Sequence, residues 1–369
     1  MADILEVFKD TVRENSSNRM FKVDVVHGVD VVTKIINPFL ELYDNRGVLI
    51  LSSGSKANEV LTNRKIEHTN IVELFERKVN GDGYKLKEDV PSCSLIILWS
   101  VNYTQIEYIY ELYKSINAVM VTIGDSFIVD YFSGGEITKF IYYSDYYMDS
   151  VDNVRGHSQQ LIHFANRVRN GTEDKLETKD HRSYGVTTKP PSIEDLFEYD
   201  VAICNRHTVG KTNRKIRRYL YDTDDAKPMT GDRMVAYEMI QGVDKIGDEY
   251  TIEIGEELVV EKVDSSVDGM VYCYFNHNGQ EISIMLNMKW ISRMYGSDGV
   301  GYSNKGRMMF YSYVLPPELV VDKSYESVLF DMRKVRIGDM NTKRALYSII
   351  QITRKQLEVV IDGDDPYLH

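Results

Sequence analysis

The chain has few cysteines and no long apolar run, and each scarcity excludes a class of protein. Its three cysteines in 369 residues lie far apart and include no C-x-x-C pair. This argues against a disulfide scaffold or a zinc site and favours a reducing, intracellular setting. No apolar stretch approaches the roughly 20 residues that span a bilayer. The acidic N-terminal segment MADILEVFKD also lacks a secretory apolar core. We expect a cytoplasmic protein with no membrane partner.

Positive charge is also scarce, since 44 Lys and Arg face 56 Asp and Glu and the net charge is -12. Proteins that bind nucleic acid through phosphate contacts usually present a basic face. The composition therefore lowers the expectation of broad DNA binding without excluding a segregated basic groove. A length of 369 residues, 43% of them apolar, is sufficient for two or three domains with sizeable cores.

Patterning along the chain predicts two α/β domains. In the first half, the strand-like runs FKVDVVHGV, GVLILSS, CSLIILWS and AVMVTIGDS alternate with amphipathic stretches, which is typical of a parallel sheet with crossover helices. We place the first domain at 1–180, with a short insertion at about 78–92, a polar linker at 181–192 and the second domain at 193–369. Alternation of period two around an Asn-His-Asn-Gly turn predicts a small antiparallel barrel at about 244–300.

The most informative stretch is VAICNRHTVGKTNRKIRRYL, Val201 to Leu220, followed by GDRMVAYEM, Gly231 to Met239. A strand ending in Cys, an N-x-x-I-R helix and a Gly-Asp-led strand resemble the second motor domain of superfamily 1 helicases of the RecD/Dda-like branch. The resemblance implies two RecA-like parallel-sheet motor domains, with a small SH3-like β-barrel inserted in the second. A phage or other mobile element is a plausible origin for a protein of this branch, and a phage-infected bacterium would then be its location.

The resemblance also predicts a phosphate-binding P-loop, which needs G-x-x-x-x-G-K-[ST] after the first strand. The corresponding stretch is VVHGVDVVTKII, in which Gly28 and Lys34 keep the spacing. Thr33 replaces the second glycine and Ile35 replaces the hydroxyl ligand of magnesium. Asp30 lies inside the loop, where its carboxylate would repel a triphosphate. We interpret this stretch as a degenerate P-loop.

The acidic pair that binds magnesium and activates water is missing as well. The family form "L-I-x-D-E-x-S-M" corresponds here to LIILWSVN, with Leu98 and Trp99 at the carboxylate positions. Without a metal ligand or a base, positioning alone cannot supply the rate of hydrolysis. Two other residues match nucleotide-binding motifs of the family: Asp125, in a Gly-Asp turn, and Arg155. The degenerate nucleotide-binding set is therefore Gly28, Lys34, Asp125 and Arg155, with no catalytic residue and no metal site.

For nucleic acid, polar and basic residues at the starts of crossover helices are the candidates, because backbone amides and cations can meet phosphates there. From the first domain these are Ser53, Ser55 and Lys56. From the second they are His207, Lys211, Asn213, Arg214 and Arg217.

The leading hypothesis is a helicase-like protein without ATPase residues that acts as a binding, scaffold or regulatory protein. Its partner would be nucleic acid such as single-stranded DNA, or a protein of replication, recombination or transcription, and it would need no cofactor. One alternative is an active ATP-dependent 5′–3′ DNA helicase with divergent motifs, which would require ATP and magnesium and a carboxylate such as Asp30 or Asp125. Another is a phage inhibitor or interaction module that binds a host protein.

Overall fold

A computed structural model describes residues 3–14, 19–44, 47–77, 84–129, 140–149, 157–173, 176, 179–180, 182–205, 208–237, 240–264, 269–296, 309–333 and 340–363. The chain divides into two compact units. The first comprises Met1–Asp174, Val321–Ser324 and Met340–Arg354, and the second comprises Lys175–Val320, Tyr325–Asp339 and Lys355–His369. Each unit contains parallel strands with helices, so the predicted α/β class with two parallel sheets is confirmed.

The first unit is built from alternating strands and helices. Its elements are α1 (Ile4–Glu14), β1 (Met20–Val25), a π-helix (Val32–Ile36) that continues as α2 (Asn37–Leu42), β2 (Val48–Ser52), α3 (Ser55–Asn63), β3 (Thr69–Asn70), β4 (Phe75–Arg77), β5 (Tyr84–Leu86), β6 (Leu95–Trp99), α4 (Ile106–Ser115), β7 (Val119–Gly124), β8 (Tyr146–Met148) and α5 (Gln159–Arg169), with two short 3-10 helices, Ile71–Leu74 and Val101–Tyr103.

Six of these strands form one parallel sheet in the order β3-β2-β6-β7-β1-β8. From β1 the chain continues towards one edge of the sheet, and from β7 it continues towards the other. Ligands of open α/β sheets bind beyond the carboxyl ends of strands at such a reversal. The ends of β1, β6 and β7 are therefore where a ligand of this sheet would be expected.

Strand β6 is apolar along its whole length because both faces of the sheet are covered there. In β6, Ile97 belongs to the apolar cluster on one face, while Ile96 and Leu98 belong to the cluster on the other. All three are at most 1% exposed. This explains why the sequence reads as a continuous apolar run and not as an alternating one.

The second unit contains a parallel sheet and an antiparallel sheet. Its elements are β9 (Lys179–Asp180), β10 (Tyr184–Thr187), α6 (Ile193–Leu196), β11 (Val201–Cys204), α7 (Val209–Tyr221), β12 (Arg233–Ala236), β13 (Ile240–Asp244), β14 (Glu249–Ile252), β15 (Glu257–Val263), β16 (Met270–His277), β17 (Gln280–Asn287), α8 (Met288–Gly296), β18 (Met309–Tyr311), a 3-10 helix (Pro317–Leu319) and β19 (Tyr325–Asp331). The chain then forms α9 (Met340–Ile352), which belongs to the first unit, and β20 (Thr353–Val360).

The five-stranded sheet of the second unit has the order β11-β19-β20-β10-β9, with β11 parallel to β19 and β10 parallel to β20. The seven-stranded sheet has the order β14-β13-β17-β16-β15-β12-β18 and its strand pairs are antiparallel. The antiparallel insertion is therefore larger than the predicted 244–300. Its sheet also contains the strand of the GDRMVAYEM motif, Arg233–Ala236, and the strand Met309–Tyr311.

Two predicted boundaries differ from the observed ones. The proposed linker 181–192 contains β10, because Tyr184 and Val186 are buried and the strand pairs with β20. The proposed second domain 193–369 also differs from the second unit, because 321–324 and α9 belong to the first unit. In the first unit, the insertion predicted at about 78–92 begins earlier, as an antiparallel ribbon of β4 and β5; residues 78–83 lie outside the described residues.

In the part of the chain that the structure describes, every helix is too short or too polar to cross a bilayer.

Candidate functional site

The loop after β1 occupies the position of a P-loop but has another construction. Gly28 adopts a positive φ of 94°. Val31 and Val32 are 5% and 3% exposed and belong to the apolar core. The Asp30 carboxylate accepts hydrogen bonds from the Thr33 backbone amide at 3.2 Å and from the Thr33 hydroxyl at 2.9 Å. Asp30 therefore binds the first turn of the following helix, at the place where a P-loop would present amides to phosphate.

Lys34 lies in the π-helix and is half-buried. Its neighbours Ile35 and Ile36 are fully buried. Ile35, which stands where a magnesium-binding hydroxyl is required, is thus a core residue. That Gly28 and Lys34 are remnants of a P-loop stays a prediction.

The strand β6 ends at the positions that should carry the acidic pair. Leu98 is fully buried in the apolar core. The Trp99 carbonyl accepts a hydrogen bond from the Ser53 amide at 3.0 Å. Both residues therefore serve packing and backbone pairing at the edge of the sheet where magnesium would be bound.

A group of polar side chains is buried at the carboxyl ends of β1 and β7 in the first unit. Asp24 comes from β1, Asp125 and Ser126 follow β7, Arg169 ends α5, and the remaining two come from α9. We call this group the carboxylate cluster; its members are Asp24, Asp125, Ser126, Arg169, Tyr347 and Gln351.

The centre of the carboxylate cluster is Arg169, whose guanidinium bridges two carboxylates. It lies 3.0 Å from the Asp24 carboxylate and forms a second, short ion pair with Asp125. The three side chains are only 6–8% exposed. The bridge therefore lies in a low-dielectric environment, where an unpaired charge is costly.

The remaining hydrogen-bonding capacity of Asp125 is used by the protein itself. Tyr347 donates its hydroxyl to the carboxylate at 2.6 Å, Gln351 donates its amide at 2.8 Å, and the Phe127 amide donates at 2.9 Å. The Asn102 side chain donates to the Asp125 carbonyl and accepts from the Asp125 amide, each at 2.8 Å. Asp125, predicted as a remnant of nucleotide binding, is thus tied to α9 and to its own turn.

Asp24 is held in a similar way. It accepts the Ser126 hydroxyl at 2.6 Å and the Ser126 amide at 2.9 Å. Burial raises the pKa of Asp24, against the opposing attraction of Arg169. Burial by itself would lower the pKa of Arg169, but the carboxylate of Asp125 in particular raises it above its ordinary value. With Asp24 and Asp125 ionised against one guanidinium, the cluster has a formal charge of -1 and would repel a phosphate.

Lys56 also points into the protein. Its ammonium donates to the Gln351 carbonyl at 3.2 Å, near the end of α9, where helix carbonyls lack intrahelical partners. Burial and, next, repulsion by Arg354 lower the pKa of Lys56 to about 8. The prediction that Lys56 is a phosphate contact is therefore not supported, because its charge caps a helix of its own unit. Ser53 is 1% exposed and therefore more deeply buried than Lys56, which is half-buried.

Three further predicted residues fall outside what the structure describes. Arg155 and His207 lie outside the described residues, and so does the side chain of Ser55, whose backbone begins α3.

In the second unit, α7 carries the basic residues of the most informative stretch, and two of them are core residues. Asn213 is fully buried and bonds to Val314, donating to its carbonyl at 3.0 Å and accepting from its amide at 3.2 Å. Arg217 is also fully buried, and its guanidinium forms a bidentate pair with Asp232 at 2.9 and 3.0 Å. Neither side chain can meet a nucleic acid, so these two predictions are wrong.

The solvent side of α7 keeps the other cations. Lys211, Arg214, Lys215 and Arg218 are exposed, and we call them the α7 basic face. Arg214 and Arg218 both pair with the single carboxylate of Asp224, so the face retains an excess of positive charge. Lys211 and Arg214, both predicted nucleic-acid contacts, belong to it.

Sequence reasoning missed most of the carboxylate cluster. A signal was present for Asp24, since an acidic residue inside the apolar strand FKVDVV has to find a partner when the strand is buried. Nothing in the sequence connected it with Arg169 or Gln351, which are distant in the chain. Among the described residues, no group of three or more His, Cys, Asp or Glu side chains is placed to hold a metal ion.

Comparison with known proteins finds helicases among solved structures. The chain is similar to Pif1 helicase from Bacteroides in complex with ADP-AlF3 and ssDNA, with 11% identity, a TM-score of 0.44, and coverage of 98% of this chain and 93% of the other. It is also similar to Pif1 helicase from Candida albicans, with 10% identity, a TM-score of 0.41, and coverage of 98% and 94%. No family model and no curated protein matches the sequence. These neighbours are helicases, and the likeness is one of fold.

Proposed function

We propose that this protein is a helicase-like binding protein that neither requires nor hydrolyses ATP. The observation that carries the proposal is the carboxylate cluster. A motor of this architecture would bind the phosphates and magnesium beyond the ends of β1, β6 and β7. Here the ends of β1 and β7 hold two carboxylates and an arginine that satisfy one another, and β6 ends in Leu98 and Trp99.

The alternative of an active helicase would need a carboxylate to bind magnesium. Asp125 is 4% exposed and accepts bonds from Arg169, Tyr347 and Gln351. Asp30 binds Thr33 and pairs with Arg64 at 3.0 Å. Binding magnesium through either carboxylate would break several hydrogen bonds and ion pairs within the protein. The geometry therefore favours a protein without ATPase activity.

Turnover is the direct functional test. We expect no ATP hydrolysis above background with magnesium, in the absence or presence of single-stranded DNA. The Lys34→Ala variant should behave like the unaltered protein. DNA-stimulated turnover that is abolished by Lys34→Ala would contradict the proposal.

We further propose that the ligand held by this protein is single-stranded nucleic acid, bound through the α7 basic face. The chain has a net charge of -12, so a local excess of cations on one helix is the surface best suited to a phosphate backbone. Lys211 and Lys215 are exposed and lie one turn apart on α7. We expect both to release counterions when DNA binds.

Reversing those two charges should weaken binding of a single-stranded oligonucleotide by about tenfold or more at low salt, and should reduce the salt slope by roughly one to two. The variant is Lys211→Glu/Lys215→Glu, and the measurement is fluorescence anisotropy at several salt concentrations. Lys245→Glu/Lys355→Glu is the matched control, since both lysines are about three-quarters exposed in the same unit. Equal weakening by both variants would assign the effect to net charge and not to the α7 basic face.

A further inference from the structure

A second surface, in the first unit, has the chemistry of a cation site. It lies between α4 and the ribbon of β4 and β5, where β4 pairs with β5 in the register Phe75 to Leu86 and Glu76 to Lys85. A cavity of about 440 Å³ opens there, within the range of small-ligand sites. Its principal lining residues are Phe75, Tyr84, Glu107, Tyr108, Tyr110 and Glu111.

Aromatic rings from both α4 and the ribbon line the cavity. Tyr108 packs against Phe75 with ring centroids 4.4 Å apart and against Tyr84 with centroids 5.1 Å apart. Phe75 and Tyr108 are 7% and 4% exposed, while Tyr110 is 46% exposed. The rings of Phe75 and Tyr108 are thus fixed by packing, and Tyr110 is the most exposed of the three.

Two acidic side chains also line the cavity. Glu107 and Glu111 are one turn apart on α4 and both line the cavity. Glu111 accepts a hydrogen bond from Ser115 at 3.3 Å. Among the described residues, no basic side chain forms an ion pair with either carboxylate. Lys114 also lines the cavity and supplies one positive charge against the two negative ones.

We infer that this cleft docks a basic segment of a partner protein, with an arginine side chain entering between the rings and the carboxylates. A guanidinium stacks on aromatic rings and binds carboxylates through several donors, and its stem covers apolar surface. The carboxylates make the cleft unfavourable for a nucleic acid backbone. The inference does not depend on the α7 basic face, which belongs to the other unit.

The test uses the full-length protein and a labelled pentapeptide, acetyl-Gly-Arg-Phe-Arg-Gly amide, with anisotropy as the measurement. We expect saturable binding that is lowered at least tenfold by Glu107→Lys/Glu111→Lys. The same peptide with both arginines replaced by glutamate should not bind. The matched control is Glu6→Lys/Asp10→Lys, which changes two exposed acidic residues one turn apart on α1 of the same unit and should alter affinity less than twofold.

Three outcomes would overturn the inference: no saturable binding of the arginine peptide, equal loss in the two variants, or equal affinity for the glutamate peptide. Binding of single-stranded DNA that is lost specifically in Glu107→Lys/Glu111→Lys would also overturn it, since it would assign the cleft to nucleic acid. Far-UV circular dichroism of both variants checks that they are folded. Tyr110→Ala, an exposed truncation, should weaken peptide binding without charge reversal.

Discussion

Replacing Arg169 with alanine should lower the free energy of unfolding by about 3–5 kcal/mol, the usual loss when one partner of a buried ion pair is removed. The substitution leaves Asp24 and Asp125, which are 8% and 6% exposed in their side chains, without their shared cation. Urea denaturation followed by circular dichroism measures the loss. Arg64→Ala is the control, because the Arg64 pair with Asp30 is half-exposed and should contribute at most about 1 kcal/mol.

The same substitution should show a characteristic pH dependence. Burial already raises the folded-state pKa of Asp24 above its ordinary value, and removing Arg169 takes away the attraction that opposes this shift. A group with a raised pKa stabilises the folded state below its unfolded pKa, and this contribution is lost as pH rises through the folded pKa. The destabilisation of Arg169→Ala should therefore be largest near neutral pH and shrink towards pH 4. A loss that is independent of pH, or no larger than that of Arg64→Ala, would show that the bridge does not carry buried charge.

Replacing Arg217 with methionine should be equally damaging, by about 3–5 kcal/mol. The substitution keeps most of the side-chain volume but leaves Asp232 fully buried without its partner. The Lys227 carbonyl also loses its donor at 2.9 Å. Arg233→Met is the matched control, since the Arg233 pair with Glu257 is half-exposed and should contribute at most about 1 kcal/mol.

Replacing Arg217 also distinguishes two hypotheses about its role in α7: a contact to nucleic acid, or a buried residue that stabilises the fold. If Arg217 were a nucleic acid contact, its replacement would weaken DNA binding and leave stability unchanged. The structure leads to the opposite expectation, a large loss of stability at 25 °C and no specific change in the salt slope of DNA binding. Adding Asp232→Leu should recover part of the loss, because it removes the uncompensated carboxylate.

The sequence was sufficient to predict the class of fold and the central strands. Leu95 to Trp99 and Val119 to Gly124 are strongly apolar runs flanked by helical stretches, and both are strands of the parallel sheet. It was not sufficient for the boundaries. The pattern of α9 is that of an ordinary amphipathic helix, and only the partners of Tyr347 and Gln351 assign it to the first unit.

Burial of basic residues was the main error in the candidate site. Arg217 lies eight residues after Val209 and four after Asn213, so it shares their face of α7, and that face is buried. Helical periodicity could have separated Arg217 from Lys211 and Lys215. For Lys56 no such signal existed, because the Gln351 carbonyl that it bonds is 295 residues away in the chain.

We propose that the side chains of the carboxylate cluster close the carboxyl ends of β1 and β7 to a nucleotide. The most direct test is isothermal titration of the intact protein with a slowly hydrolysed ATP analogue and magnesium. We predict no saturable binding up to about 1 mM, the upper end of ordinary substrate KM values, in the unaltered protein and in Lys34→Ala alike. Saturable, magnesium-dependent binding that is lost in Lys34→Ala would contradict the account.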